Sequence, residues 1–89
     1  MKIKLELFGA SRDFSDNDHL KIEVQNKASM DDLRNEIIKY IDKNFKVNES
    51  FIKVVKSSAF CSENNEIISD NYKITKYQKI GIIPPIGGG

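Results

Sequence analysis

The chain reads as an α+β domain: a mixed sheet of four to five strands with one main helix laid across one face. Three observations predict it. Apolar and polar residues alternate in two early segments, a capped amphipathic segment follows them, and an apolar run near the end is closed by two prolines. At 89 residues there is room for one small core.

The elements follow in order. Ile3, Leu5 and Leu7 alternate with Lys2, Lys4 and Glu6, the period of a half-buried strand. Phe8 breaks the alternation by placing a large apolar group on the polar side. Gly9 to Asp18 is polar and reads as a loop, with Phe14 as an anchor back to the core. Leu20, Ile22 and Val24 alternate with Lys21, Glu23 and Gln25, so a second strand forms a hairpin with the first.

Ser29 is a good helix N-cap, and Asp32 three residues on completes a capping-box-like pair. Asp31 and Asp32 suit the positive end of a helix dipole. Leu33, Ile37, Tyr40 and Ile41 share one helical face. Asn44 closes the helix, with Phe45 packed beneath it. Phe51 to Val55 is apolar and rich in β-branched residues, which predicts a strand, and Ser57 to Ser62 continues it after a kink. Glu63-Asn64-Asn65 is turn chemistry, and Glu66 to Ser69 is a candidate return strand. Lys79 to Ile83 reads as a last strand, apolar enough to be central. Pro84 and Pro85 end it, because neither has an N–H for the ladder.

Strand, strand, helix, then two or three strands is the order of the β-grasp, or ubiquitin-like, fold. In it the last strand lies parallel to the first in mid-sheet, and the helix covers one face. The domain is therefore expected over residues 1–83, with a projecting tail over 84–89.

Composition excludes several function classes. Fourteen basic residues against thirteen acidic ones give a net charge of +1, without the basic surplus that nucleic-acid binding usually needs. No segment approaches the ~20 apolar residues of a membrane span. The single Cys61 cannot form an internal disulfide, and no signal region precedes the first strand, which together predict a cytoplasmic setting. With one Cys and the one His19, a zinc site and a Ser-His-Asp triad are not expected. Cys61 reads as a small buried residue, and His19 as solvated surface. Lys73, Lys76 and Lys79 form a short basic run that is either solvated or faces an acidic partner.

The chemistry gathers at Pro84-Pro85-Ile86-Gly87-Gly88-Gly89. A glycine run adds nothing to a core, but without Cβ atoms it is thin enough to enter a narrow active site. The prolines stiffen its root, and the six residues reach roughly 20 Å when extended. The working group is then the carboxyl of Gly89. It is ionised at neutral pH, so it must be activated before it can react, for example as a mixed anhydride with AMP. A frayed end or a cloning remnant is the alternative. That alternative does not explain why an apolar strand and two prolines lead straight into the glycines. Arg12 and Asp13 are read either as an orienting pair at the sheet's end or as a surface ion pair.

Leu7-Phe8-Gly9-Ala10-Ser11-Arg12-Asp13-Phe14 resembles the first strand and loop of the small subunit of molybdopterin synthase, and Ile82-Ile83-Pro84-Pro85-Ile86-Gly87-Gly88-Gly89 resembles that family's closing motif. Ser29 to Ile37 is similar to its capped helix. The resemblance implies a sulfur carrier that binds no cofactor and has no catalysis of its own. An adenylyltransferase related to ubiquitin-activating enzymes would use ATP on Gly89, and sulfur transfer would then give a thiocarboxylate. The large synthase subunit would take the tail and deliver its sulfur to cyclic pyranopterin monophosphate, in a heterotetramer. Gly89 would carry the reacting group. Pro84, Pro85, Ile86, Gly87 and Gly88 would line the partner's channel, and Phe8, Arg12, Ile82 and Ile83 would face the partner. A carrier for thiamine, cysteine or tRNA thiolation, or a ubiquitin-like modifier, would need the same terminus. Lys76-Tyr77-Gln78-Lys79 stands where the family often has an Asp-Gly-Asp turn, and Gly87 where Thr or Ser is common.

Overall fold

Two early strands pair as the alternation requires. In the computed structural model, which describes residues 1–46 and 48–85, β1 (Lys2–Leu7) and β2 (His19–Glu23) run antiparallel, with Ile3 opposite Ile22 and Leu5 opposite Leu20. The link between them is more ordered than a loop. A 3-10 turn spans Gly9–Phe14 and carries Phe14 into the core with no exposed surface.

Helix α1 (Met30–Phe45) starts at the reciprocal cap read from the sequence. The Asp32 N–H donates to Ser29 Oγ at 3.1 Å, and the Ser29 N–H donates to Asp32 Oδ2 at 2.9 Å. Leu33, Ile37 and Ile41 are fully buried beneath the helix, as its apolar stripe requires. The helix runs one residue past Asn44 and ends at Lys46, which adopts φ 49°.

Residues 51–55 correct the sequence reading. They belong to a second helix, α2 (Glu49–Ser57), capped by Asn48, whose Oδ1 accepts the Phe51 N–H at 3.1 Å. Its β-branched residues are held helical by packing. Phe51 meets Phe14 at 5.0 Å and Phe45 at 5.1 Å between ring centroids, and Val55 is fully buried. Residues 66–69 form no strand, only an isolated bridge from Ile67 to Cys61.

β3 (Ala59–Ser62) and β4 (Lys79–Ile83) complete a four-stranded sheet in the order β2-β1-β4-β3. β4 lies between β1, to which it is parallel, and β3, to which it is antiparallel. The long connection before β4 is pinned by Ile74. Its backbone bonds to Ala28 and Lys27, and its side chain is fully buried. One continuous core fills the space between the helices and the inner sheet face.

Candidate functional site: the root of the glycine run

β4 is paired on both sides, so the chain leaves it from a fixed position. Because β4 runs parallel to β1, it ends beside the 3-10 turn that follows β1. There Pro84 is buried next to Gly9: a methyl group added at Gly9 would sit 3.8 Å from the Pro84 ring. Gly9 has φ +56°, in the left-handed region that favours glycine. Ser11 holds this turn with two bonds. Its hydroxyl donates to the Phe8 carbonyl at 2.6 Å and accepts the Phe8 N–H at 3.0 Å. Pro84 is buried, and Pro85 is the first exposed residue after the strand.

The sheet face away from the helices carries the rest. Phe8 is 43% exposed there and lies over Gly81 in β4. A Cβ at Gly81 would come within 2.7 Å of Cys61 Sγ and 2.8 Å of Phe8 Cε2. The glycine therefore makes room for both side chains. Cys61 is buried, as expected. Lys79 bonds Glu6 across the sheet at 2.6 Å, and this hydrogen bond raises the lysine pKa above its ordinary value. The hollow lined by Glu6, Phe8, Cys61, Ser62, Lys79 and Gly81 holds about 200 Å³, less than the ~300–1,000 Å³ of usual small-molecule sites. No cluster of metal-ligating residues occurs among the described residues, and no helix among them is long and apolar enough to cross a membrane.

The expected partner-facing residues separate. Phe8 is exposed on the outer face, Ile83 is half-buried, and Arg12 is exposed on the 3-10 turn. Ile82 is a correction. It is fully buried in the core, because it sits on the same face of β4 as Ile80, and that face is turned to the helices. Its side chain cannot meet a partner. Ile86, Gly87, Gly88 and Gly89 lie outside the described residues. Gly9, Ser11 and Gly81 were missed as parts of the site. A glycine inside an apolar strand was the available signal for Gly81, whereas nothing in the sequence distinguishes Ser11 from a solvated loop serine.

No family model matches the chain, and no curated protein matches it in sequence. Solved structures do. A Pyrococcus furiosus chain described as molybdopterin converting factor, subunit 1, superposes with a TM-score of 0.67 at 24% identity, over 96% of this chain and 98% of that one. SAMP1 from Haloferax volcanii superposes with a TM-score of 0.67 at 12% identity, over the whole of both chains. At these identities the likeness establishes the fold, which is the β-grasp.

Proposed function

We propose that this chain is a ubiquitin-like sulfur carrier, the small subunit of a molybdopterin synthase, with Gly89 as its reacting residue. The observation that carries this reading is the exit of the chain. A central strand locked between two neighbours passes through a buried and then an exposed proline directly into Ile86-Gly87-Gly88-Gly89. The whole-chain likeness of fold to a molybdopterin converting factor subunit supports it.

On this reading a Gly89 carboxylate oxygen attacks the α-phosphorus of ATP in an activating enzyme, and pyrophosphate leaves. A sulfide-level sulfur then attacks the acyl carbon, AMP leaves, and a thiocarboxylate remains. The glycines let the run be gripped closely along its backbone. In the large subunit the sulfur passes to cyclic pyranopterin monophosphate, and water restores the carboxylate. The chain supplies reach and direction, while proton transfers fall to the partner.

Intact mass spectrometry tests the reading. After incubation with ATP, a sulfur donor and the activating enzyme of the same organism, one terminal oxygen should be replaced by sulfur. The charged protein should then convert the pterin precursor when the large subunit is added. A terminus that stays a plain carboxylate would overturn the carrier reading, and isopeptide adducts through Gly89 would replace it with a protein modifier.

A further inference from the structure

We infer that Ser11 is a positioning residue for the glycine run: its hydroxyl holds the backbone carbonyl at which β1 could capture residue 84, so the chain leaves the sheet at Pro84. The inference rests on the carrier reading above for the use of the run, but not for the geometry.

β1 and β4 pair in parallel, with Lys4 opposite Lys79 and Leu7 opposite Ile82. Continued along both strands, that register sets Phe8 opposite Ile83 and Gly9 opposite Pro84. The Pro84 ring does lie against Gly9. The Lys4 N–H donates to the Gln78 carbonyl at 3.0 Å. In a parallel ladder such bonds recur at alternate residues, so Glu6 and then Phe8 turn their backbone groups toward β4. Phe8 is still extended, at φ −122° and ψ 151°. The donor due at its carbonyl is the N–H of residue 84, and proline has none.

Ser11 fills the place. Its hydroxyl donates to the Phe8 carbonyl at 2.6 Å and its N–H donates there at 3.2 Å, so both lone pairs of that oxygen are used. The same hydroxyl accepts the Phe8 N–H. Ser11 is fully buried, although Ala10 and Arg12 on either side of it in the chain are exposed. On the other side of β4 no strand is available. The register that sets Ala59 opposite Ile83 would bring residue 85 to Ser57, the last residue of α2. β1 is thus the neighbour able to hold the root, and the missing donor and the filled acceptor block it twice. A rung there would lock residue 84 in the plane of the sheet and aim the run along the continuation of β1. Without that rung residue 84 is seated by packing alone, which leaves the direction of the run to the partner that takes it.

The test compares Ser11→Ala in the parent and in a Pro84→Ala background, which restores an N–H at residue 84. With Ser11 present that amide should exchange freely with solvent. With Ser11→Ala added it should exchange at least about tenfold more slowly, because the opened carbonyl accepts it. The new rung replaces a lost bond, so Ser11→Ala should lower the melting temperature less in the Pro84→Ala background than in the parent. Sulfur loading, followed by intact mass with ATP, a sulfur donor and the activating enzyme, should move the other way. The loss of initial rate on Ser11→Ala should be at least about threefold greater in that background. A serine that only stabilised the turn would give melting and loading losses that run together. Exchange rates at residue 84 within about twofold of each other, or melting losses that simply add, would overturn the exit stop whatever the chain carries. A slowed amide with equal loading losses in both backgrounds would overturn the positioning role. A parent that takes up no sulfur would overturn the carrier reading, and with it the role of Ser11 in loading.

Discussion

Gly81 concentrates the conflict between packing and function at the scale of one residue. Its missing side chain admits Cys61 Sγ from β3 and the Phe8 ring from the end of β1 onto one spot of a central strand. The Phe8 ring is the far end of a half-exposed side chain and can swing aside, whereas Cys61 is buried. Gly81→Ala should therefore cost about 1–3 kcal/mol by overpacking, mainly against the sulfur. In a double-mutant cycle measured by urea denaturation, Cys61→Ala should recover part of that loss. Strict additivity would show that the sulfur is not what requires glycine here. Tyr40 offers a second test. Its hydroxyl donates to the Phe14 carbonyl at 2.8 Å, tying α1 to the 3-10 turn that supports the tail root. Tyr40→Phe should lose about 0.5–1.5 kcal/mol of stability, the usual net value of one such bond, and denaturant titration would measure it.

At the scale of elements, the start of α1 is where local chemistry decides most. Ser29→Ala removes one half of the reciprocal cap and should cost about 1 kcal/mol. The bonds from the Ser29 backbone, then its side chain, hold the Asp32 carboxyl below its ordinary pKa of 3.8. A depressed carboxylate pKa contributes stability that is present above the unfolded value and is lost as pH falls through the folded one. Acid titration of stability should therefore show a shallower loss below about pH 4 for Asp32→Asn than for the parent, because the substituted side chain cannot protonate. This cap, the stripe of Leu33, Ile37 and Ile41, and both strands of the hairpin were legible because each is a local pattern. Residues 49–57 were not. Phe51, Ile52, Val54 and Val55 carry strong β propensity, and the helical outcome depends on ring contacts with Phe14 and Phe45, residues that lie 37 and 6 positions away in the chain. Arg34 adds to that long-range support. Its guanidinium donates to the Ser58 carbonyl at 3.0 Å and lies 4.9 Å from the Phe60 ring centroid, bracing the passage from α2 into β3.

At the scale of the molecule, the central place of the last strand was legible from its apolar run and its prolines. The place of Ile82 was misread as partner-facing, although alternate side chains of a central strand must face the helices and Ile82 is among them. The seating of Pro84 on Gly9 was not legible, because it joins residues 75 positions apart through a parallel pairing. That seating makes a prediction. The buried apolar core runs from Ile3 to Ile82. Pro84 is the last buried residue among those described, and glycines have no side chain to add to it. Deleting Gly87-Gly88-Gly89, or appending one bulky residue after Gly89, should leave the unfolding free energy within the ~±0.5 kcal/mol scatter of surface changes. On the proposed carrier reading, the deletion and the extension should both abolish sulfur loading measured by intact mass. Truncation before Pro84 should differ in kind. It strips the cover from Gly9 and the 3-10 turn that anchors Phe14, so it should lower stability as well as function. If the extension unfolded the domain, the glycine run would have to be part of the core, and the proposed assignment of that run to function alone would fail.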